Sequence, residues 1–262
     1  MGAVFISYDK LTFQSDFIFC HTLEAHEDLC KEIAELTTGR EIDRIIEVEQ
    51  QKSIKESIYG KGVRFDVVFK DDMSTIYDVE MQTSSGDDLP RRARYYQSMA
   101  DLETLRKGEK YSSLKDTYVI FICTFDPFNK GRARYVAKTY LRGHGGTPYD
   151  DGVEKVFLNT EYKTMNVSKK LKQLLDYIRT GTISNDFTRE IEKAVNDLKH
   201  DSVRRDEYMT LCEKFDTYRE EGRQEGIIET LKKLVIDGTI TIADAAKRAG
   251  MTVDDFKLKA GL

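Results

Sequence analysis

From Asp16 onward, Phe19, Leu23, Cys30, Ile33 and Leu36 recur at helical spacing among Glu24, Glu27, Glu32 and Glu35, until Thr37-Thr38-Gly39 ends the pattern. The spacing predicts one amphipathic first helix. Ile42, Ile45, Ile46 and Val48 then predict a short strand, followed by a basic, polar segment. Two runs of strand composition, Val63–Lys70 and Thr75–Gln82, flank the turn-prone Asp71-Asp72-Met73-Ser74 and predict a β-hairpin. Pro90 suits the first turn of a second helix running to Gly108, with Tyr95, Met99, Leu102 and Leu105 as its apolar stripe. Tyr118–Thr124 is a continuous β-branched and apolar run of the kind found in a buried central strand, and Val153–Leu158 is a weaker one. The glycine-rich stretch between them, from Gly131 to Gly152, reads as a loop or peripheral hairpin.

Beyond Ser168 only helical patterns remain. They run through Leu171–Ile178, Phe187–Leu198 and Tyr208–Tyr218, then a hydrophilic helix from Arg219 weakened by Gly222 and Gly226, and a closing pair of short helices with Gly250 at the turn and Thr252 as N-cap. The element order predicts an α/β or α+β core over residues 1–165, a helical extension over 166–218 and a helical tail with a small helix-turn-helix-like segment over 219–262. Tyr208, Leu211, Phe215, Tyr218 and Gly222 approximate a heptad seam, which would serve either a homodimer or packing on the core.

Composition narrows the classes. The 262 residues carry 41 Lys and Arg against 46 Asp and Glu, a net charge of -5, with 33% charged and 40% hydrophobic residues and three prolines, which excludes disordered and collagen-like chains. No apolar stretch approaches the roughly 20 residues of a membrane span, and the N-terminus lacks the pattern of a secretory signal. The expected location is cytoplasmic. Cys20, Cys30, Cys123 and Cys212 have no CxxC pairing and are expected as free, buried thiols, while His21, His26, His144 and His200 make no HExxH.

Chemistry concentrates on the hairpin. A turn about Met73 pairs residues whose numbers sum to about 146, which sets Asp66 opposite Glu80 and Arg64 opposite Gln82 on one face. Opposed Cβ atoms there lie about 4.5 to 5.5 Å apart, so two carboxylates can grip one cation. Mg²⁺ takes one or two carboxylates and completes its shell with water and phosphate oxygens, so it resolves their repulsion, and the carbonyl of Met81 offers a further ligand. The ordinary alternative is a pair of acids on a solvated hairpin face. Lys52, Lys55, Lys61 and Arg64 before the pair, and Arg91, Arg92 and Arg94 after it, favour a phosphate ligand.

The segments KGVRFDVVF, YDVEMQ, PRRARYYQS and FDPF at Phe125–Phe128, with REEGRQEG in the tail, closely resemble the recombination-promoting nuclease (Rpn) / PD-(D/E)XK nuclease family transposases. The resemblance implies a restriction-endonuclease-like αβββαβ core with an all-helical C-terminal extension and a Mg²⁺-dependent DNA endonuclease, with Mn²⁺ as a substitute cation. Carried over, it makes Asp66 and Glu80 the metal-binding acids. Gln82 stands in the place of the motif's lysine, where it would position the attacking water, with Arg64, Lys55 or Lys61 supplying the missing charge. It also makes Gln97 and Arg94 on the second helix candidates for holding phosphate or water, and one of Glu24, Glu27 and Glu32 a further metal ligand. A DNA-binding or assembly protein on a catalytically weak or inactive nuclease core is the alternative, and strand transfer is a third reading.

Overall fold

The computed structural model describes residues 6–54, 62–85, 88–143 and 145–262. The chain forms two compact units, Asp9–Asp201 and Ser202–Leu262, the latter with the N-terminal stretch that ends at Tyr8.

In the larger unit the order is α1 (Asp16–Glu24), α2 (Glu27–Thr38), β1 (Ile45–Gln50), β2 (Ser53–Ile54), β3 (Val63–Arg64), β4 (Val67–Asp71), β5 (Ile76–Gln82) and α3 (Leu89–Thr104). It continues with β6 (Thr117–Cys123), β7 (Arg134–Ala137), β8 (Tyr140–Leu141), β9 (Thr147–Pro148), β10 (Val153–Asn159), α4 (Lys169–Thr180) and α5 (Asp186–His200). A six-stranded sheet runs β1-β4-β5-β6-β10-β7. The first three strands are antiparallel, β6 joins β5 in parallel, β10 joins β6 in parallel, and β7 closes the edge antiparallel to β10. The expected α-β-β-β-α-β order is present, with the helical extension after it. The helices α4 and α5 pack on α2 and α1 and belong to the same unit as the sheet.

The parallel centre explains the strand sequences. All seven residues of β6 are buried, as are six of the seven in β5, so neither strand needs a polar face and both read as continuous runs. On one face Val119, Phe121 and Phe157 pack with Ala93, Tyr96, Met99 and Ala100 of α3. Each large side chain buried there contributes about 1.5 to 3 kcal/mol. On the opposite side, α1 lies against β1 and β4.

Several sequence expectations change. The first helix is two, because Phe17–Leu23 are all buried, leaving α1 without a solvent face, whereas α2 buries one stripe only. The chain breaks between them at Ala25-His26, where the His26 ring bonds the Thr22 carbonyl at 2.9 Å. The strand expected over 63–70 breaks at Phe65-Asp66: β3 pairs with β2, and only β4 joins the sheet. In α3 the buried face is Leu89, Ala93, Tyr96, Met99 and Ala100, while Tyr95 and Leu102 are exposed, because the two alanines let the helix approach the sheet closely. The stretch from Gly131 to Gly152 gives a peripheral hairpin, β8–β9, but also a sheet strand, β7.

The smaller unit is helical: α6 (Ser202–Ile236), α7 (Ile242–Ala249) and α8 (Val253–Ala260). Ile228, Leu231, Ala245, Ala246, Phe256 and Ala260 form its core. Gly250 ends α7 at φ 70° and Thr252 caps α8, as the sequence suggests, and the start of α7 is capped by Thr241 with a reciprocal Asp244 box. The runs read as separate helices around Tyr218 are one continuous α6. Among the described residues no helix is long and apolar enough to cross a membrane.

Candidate active site

The hairpin pairs as its sequence suggests. Val67 faces Val79, Val68 faces Asp78 and Phe69 faces Tyr77, all sums of 146. One step beyond this ladder, Asp66 and Glu80 meet by side chain rather than by strand pairing. The Asp66 N–H donates to Glu80 Oε1 at 2.7 Å, and the Met81 N–H donates to Asp66 Oδ2 at 2.9 Å. The break at Phe65-Asp66 produces this arrangement: Gln51 N–H takes the Asp66 carbonyl at 2.8 Å, and Phe65 N–H bonds the Lys52 carbonyl at 2.9 Å. In an extended strand a residue's N–H and C=O face the same neighbour. Met81 therefore turns its carbonyl toward the β4 edge, where Asp66 lies.

Both acids are buried, Asp66 at 8% exposure and Glu80 at 0%. Burial, reinforced by Asp16, pushes the Asp66 carboxyl up to about 6. Burial, reinforced by Asp66, pushes Glu80 up to about 8. Asp78, two residues along the same strand face and wholly buried, is driven well above the usual carboxylate range by burial and by Glu80. Three crowded carboxyls in a dry corner are the condition that a divalent cation relieves.

A fourth acid comes from α1. Ligand atoms of Asp16, Cys20 and Asp66 lie within 4.8 Å of one another. Asp16 is exposed, and its Oδ1 accepts the Cys20 thiol at 3.6 Å. Burial, then Asp16, raises the Cys20 pKa far above its ordinary value, so the sulfur is a protonated donor and a poor partner for a hard cation. Oxygens of Asp16 and Asp66 make a donor pair suited to a hard divalent cation, and Glu80 is joined to Asp66 beside them. Of the first-helix acids expected from sequence, Glu24 instead accepts from Gln50 at 2.5 Å, and Glu32 pairs with Lys170 at 2.5 Å. Asp16, which reads in sequence only as the start of a helix, takes the place beside Asp66.

The candidate cations rearrange similarly. Arg64 does not face Gln82: it pairs with Ser53 in the β2–β3 ladder and approaches Asp16 at 3.4 Å, half exposed. Lys55 and Lys61 lie outside the described residues. Arg94 is exposed and, with Arg91, Arg92, Tyr95, Gly62 and Val63, lines an open cleft of about 670 Å³. Gln97 donates to Asp101, the i,i+4 neighbour that shares its helix face. The cation that bonds Glu80 is Arg92. It donates to Gln82 Oε1 at 2.6 Å, to Glu80 Oε2 at 2.8 Å and to the Tyr96 hydroxyl at 2.8 Å, while its guanidinium sits over the Tyr96 and Phe121 rings. Its signal in the sequence is the Arg92–Tyr96 i,i+4 pair just inside a proline-started helix. Gln82 is held at both ends, its Nε2 donating to the Ser84 carbonyl at 2.6 Å. The FDPF segment is structural: Asp126 accepts from the N–H groups of Phe128 and Gly131 and from the Tyr135 hydroxyl.

A family model described as PD-(D/E)XK nuclease family transposase matches residues 24–244. No curated protein and no solved structure matches the chain.

Proposed function

The chain belongs to the PD-(D/E)XK nuclease family transposases, and from that membership we propose that it is a metal-dependent DNA endonuclease, with Asp66, Glu80 and Asp16 holding Mg²⁺ or Mn²⁺. The observation that carries this reading is that Asp16 and Asp66 bring ligand atoms within 4.8 Å of one another, with Glu80 bonded to the Asp66 N–H beside them, next to an arginine-lined cleft. A bound divalent ion supplies Lewis acidity to a phosphodiester and lowers the pKa of bound water. The chain's own residues do the rest. Asp66 and Glu80 fix each other through the backbone N–H bonds of Asp66 and Met81, so the ligand oxygens are placed before the cation arrives. The Met81 carbonyl is a further ligand on that edge. Arg91, Arg94 and Arg64 draw the DNA backbone toward the site, and Lys55 and Lys61 join them in this reading. Gln97, tied to Asp101, serves the helix rather than the reaction. A homodimer through the helical C-terminal segment, presenting two sites to two strands, and a role in recombination belong to the same proposal.

The test is supercoiled plasmid incubated with the protein in Mg²⁺, in Mn²⁺ and in EDTA. Wild type should nick or linearise it with either cation and not in EDTA, and Asp66→Ala and Glu80→Ala should abolish cleavage, a loss of at least about 100-fold. Cleavage that survives both substitutions would sink the assignment. A second reading, a non-cleaving DNA-binding protein on this fold, draws on one observation: Gln82 replaces the motif's lysine and both ends of its amide are engaged. Tight DNA binding without cleavage in any metal would favour it.

A further inference from the structure

We infer that Arg92 delivers the positive charge that the motif's lysine would otherwise bring to the scissile phosphate, and that Gln82 is a positioning residue that tethers this arginine. The inference rests on the nuclease reading above and moves a role from the strand to the facing helix.

The geometry carries it. Position 82 is the last residue of β5, and its side chain lies beside Glu80 on the face covered by α3. A lysine there would place an ammonium against the Arg92 guanidinium. A glutamine removes that conflict and offers a carbonyl oxygen, which Arg92 takes at 2.6 Å, while the Ser84 carbonyl fixes the amide's other end at 2.6 Å. With Oε1 and Nε2 both engaged in the protein, the amide is placed to hold a guanidinium rather than a water molecule. Arg92 is correspondingly rigid. Tyr96 binds it through its hydroxyl and its ring face, Phe121 lies under it at 5.2 Å, and its side chain is only 25% exposed.

Arg92 also stands where both partners meet. It bonds Glu80 on the inner side and lines the cleft shared with Arg91, Arg94 and Tyr95 on the other. A phosphodiester entering by that cleft meets the guanidinium next to the metal-binding acids. A delocalised planar cation suits this work, because it can hold a carboxylate, an amide oxygen and a phosphate oxygen in one plane. Preorganised charge of this kind acts on the transition state without reorganising during the reaction.

The experiment compares wild type, R92M, R92K and the exchange variant Q82K/R92M. Methionine keeps an unbranched apolar side chain against Tyr96 and Phe121. Single-turnover plasmid cleavage in Mn²⁺ is measured beside Mn²⁺ affinity by calorimetry without DNA. R92M should cleave about 100-fold more slowly, yet bind Mn²⁺ about threefold more tightly, since no fixed cation then competes for Glu80. R92K should fall between. Q82K/R92M, which returns the charge to the strand, should recover at least about tenfold over R92M.

Cleavage by R92M within about threefold of wild type overturns the inference. So does a Q82K/R92M variant that binds Mn²⁺ but cleaves no faster than R92M. Loss of Mn²⁺ binding in R92M would mean that the arginine merely holds the site together, and also overturns it. A wild type that cleaves nothing removes the nuclease reading itself, and this inference with it.

Discussion

Burial sets the chemistry of the acid cluster residue by residue. Asp66, Asp78 and Glu80 all titrate above the ordinary carboxylate range, and at each one burial outweighs the attraction of Arg92. The folded state therefore keeps protons that the unfolded chain gives up near pH 4. Stability falls wherever the native state binds more protons than the unfolded one. For Glu80 that window runs from its unfolded value up to about 8, and for Asp66 up to about 6. Glu80→Gln removes one ionisation and retains the shape. Its Tm should thus gain on wild type by several degrees as pH is raised from about 5 to about 8, and a gap that stays constant would show that Glu80 titrates normally. Metal has the opposite slope. Its ligands must lose protons to bind, so Mg²⁺ should raise the wild-type Tm more at about pH 8 than at about pH 5.5, and D66A should lose this gain.

Among the elements, α6 is the one least supported by its own sequence. Its 35 residues run through Gly222 and Gly226, where a Cβ would meet nothing within 4 Å. Each glycine in a helix interior costs about 1 kcal/mol relative to alanine. Gly222→Ala and Gly226→Ala should each stabilise the helix by about that amount, read as a higher midpoint in urea followed by circular dichroism. A fall in the midpoint would mean that these positions need a glycine for some other contact. The helix itself was legible only in pieces, because the glycines and the change from apolar to charged residues after Tyr218 look like an ending. The hairpin was far more legible. Its turn residues and alternation give the register that pairs Val67 with Val79, and so place Asp66 beside Glu80. The break at Phe65-Asp66 was not legible, since VRFDVVF alternates without a glycine or proline, and it is Ser53 and Lys52, far upstream, that draw β3 and Phe65 away from the sheet. For that reason Arg64 lies in the β2–β3 ladder and not opposite Gln82. Sequence places Arg92 only among the basic neighbours of the hairpin; its reach to Glu80 is hidden because the expected apolar stripe of α3 passes over Ala93 and Ala100, the residues that bring this helix close to the sheet.

Charge on the scale of the whole molecule opposes DNA binding, at 41 cations against 46 anions. The distribution alters that balance. Asp66, Asp78 and Glu80 are buried, and many surface acids are answered on their own helix, as in the pairs Arg189–Asp186, Arg204–Glu207 and Arg219–Asp216. Such pairs are nearly neutral at a distance and contribute little field beyond the Debye length of about 10 Å. Arg64, Arg91 and Arg94 are exposed around the acids and the cleft, Arg91 beside Asp88 at 3.2 Å and Arg64 beside Asp16 at 3.4 Å, so an entering phosphate competes with those carboxylates. Phosphate contacts by these three arginines contribute about -3 to the slope of log affinity against log salt, beside what Arg92, Lys55 and Lys61 add. With Ca²⁺ in place of Mg²⁺, to hold the metal site without cleavage, affinity for a DNA duplex should fall at least about 40-fold between about 50 and about 200 mM salt. Arg91→Ala with Arg94→Ala should make the slope shallower by about 2 without changing any preference for sequence, because backbone contacts position the duplex and do not read it. A slope unchanged by the pair would place the DNA elsewhere on the protein. It would also separate the cleft from the acids, and the nuclease reading would then need another route by which a phosphodiester reaches Asp66 and Glu80.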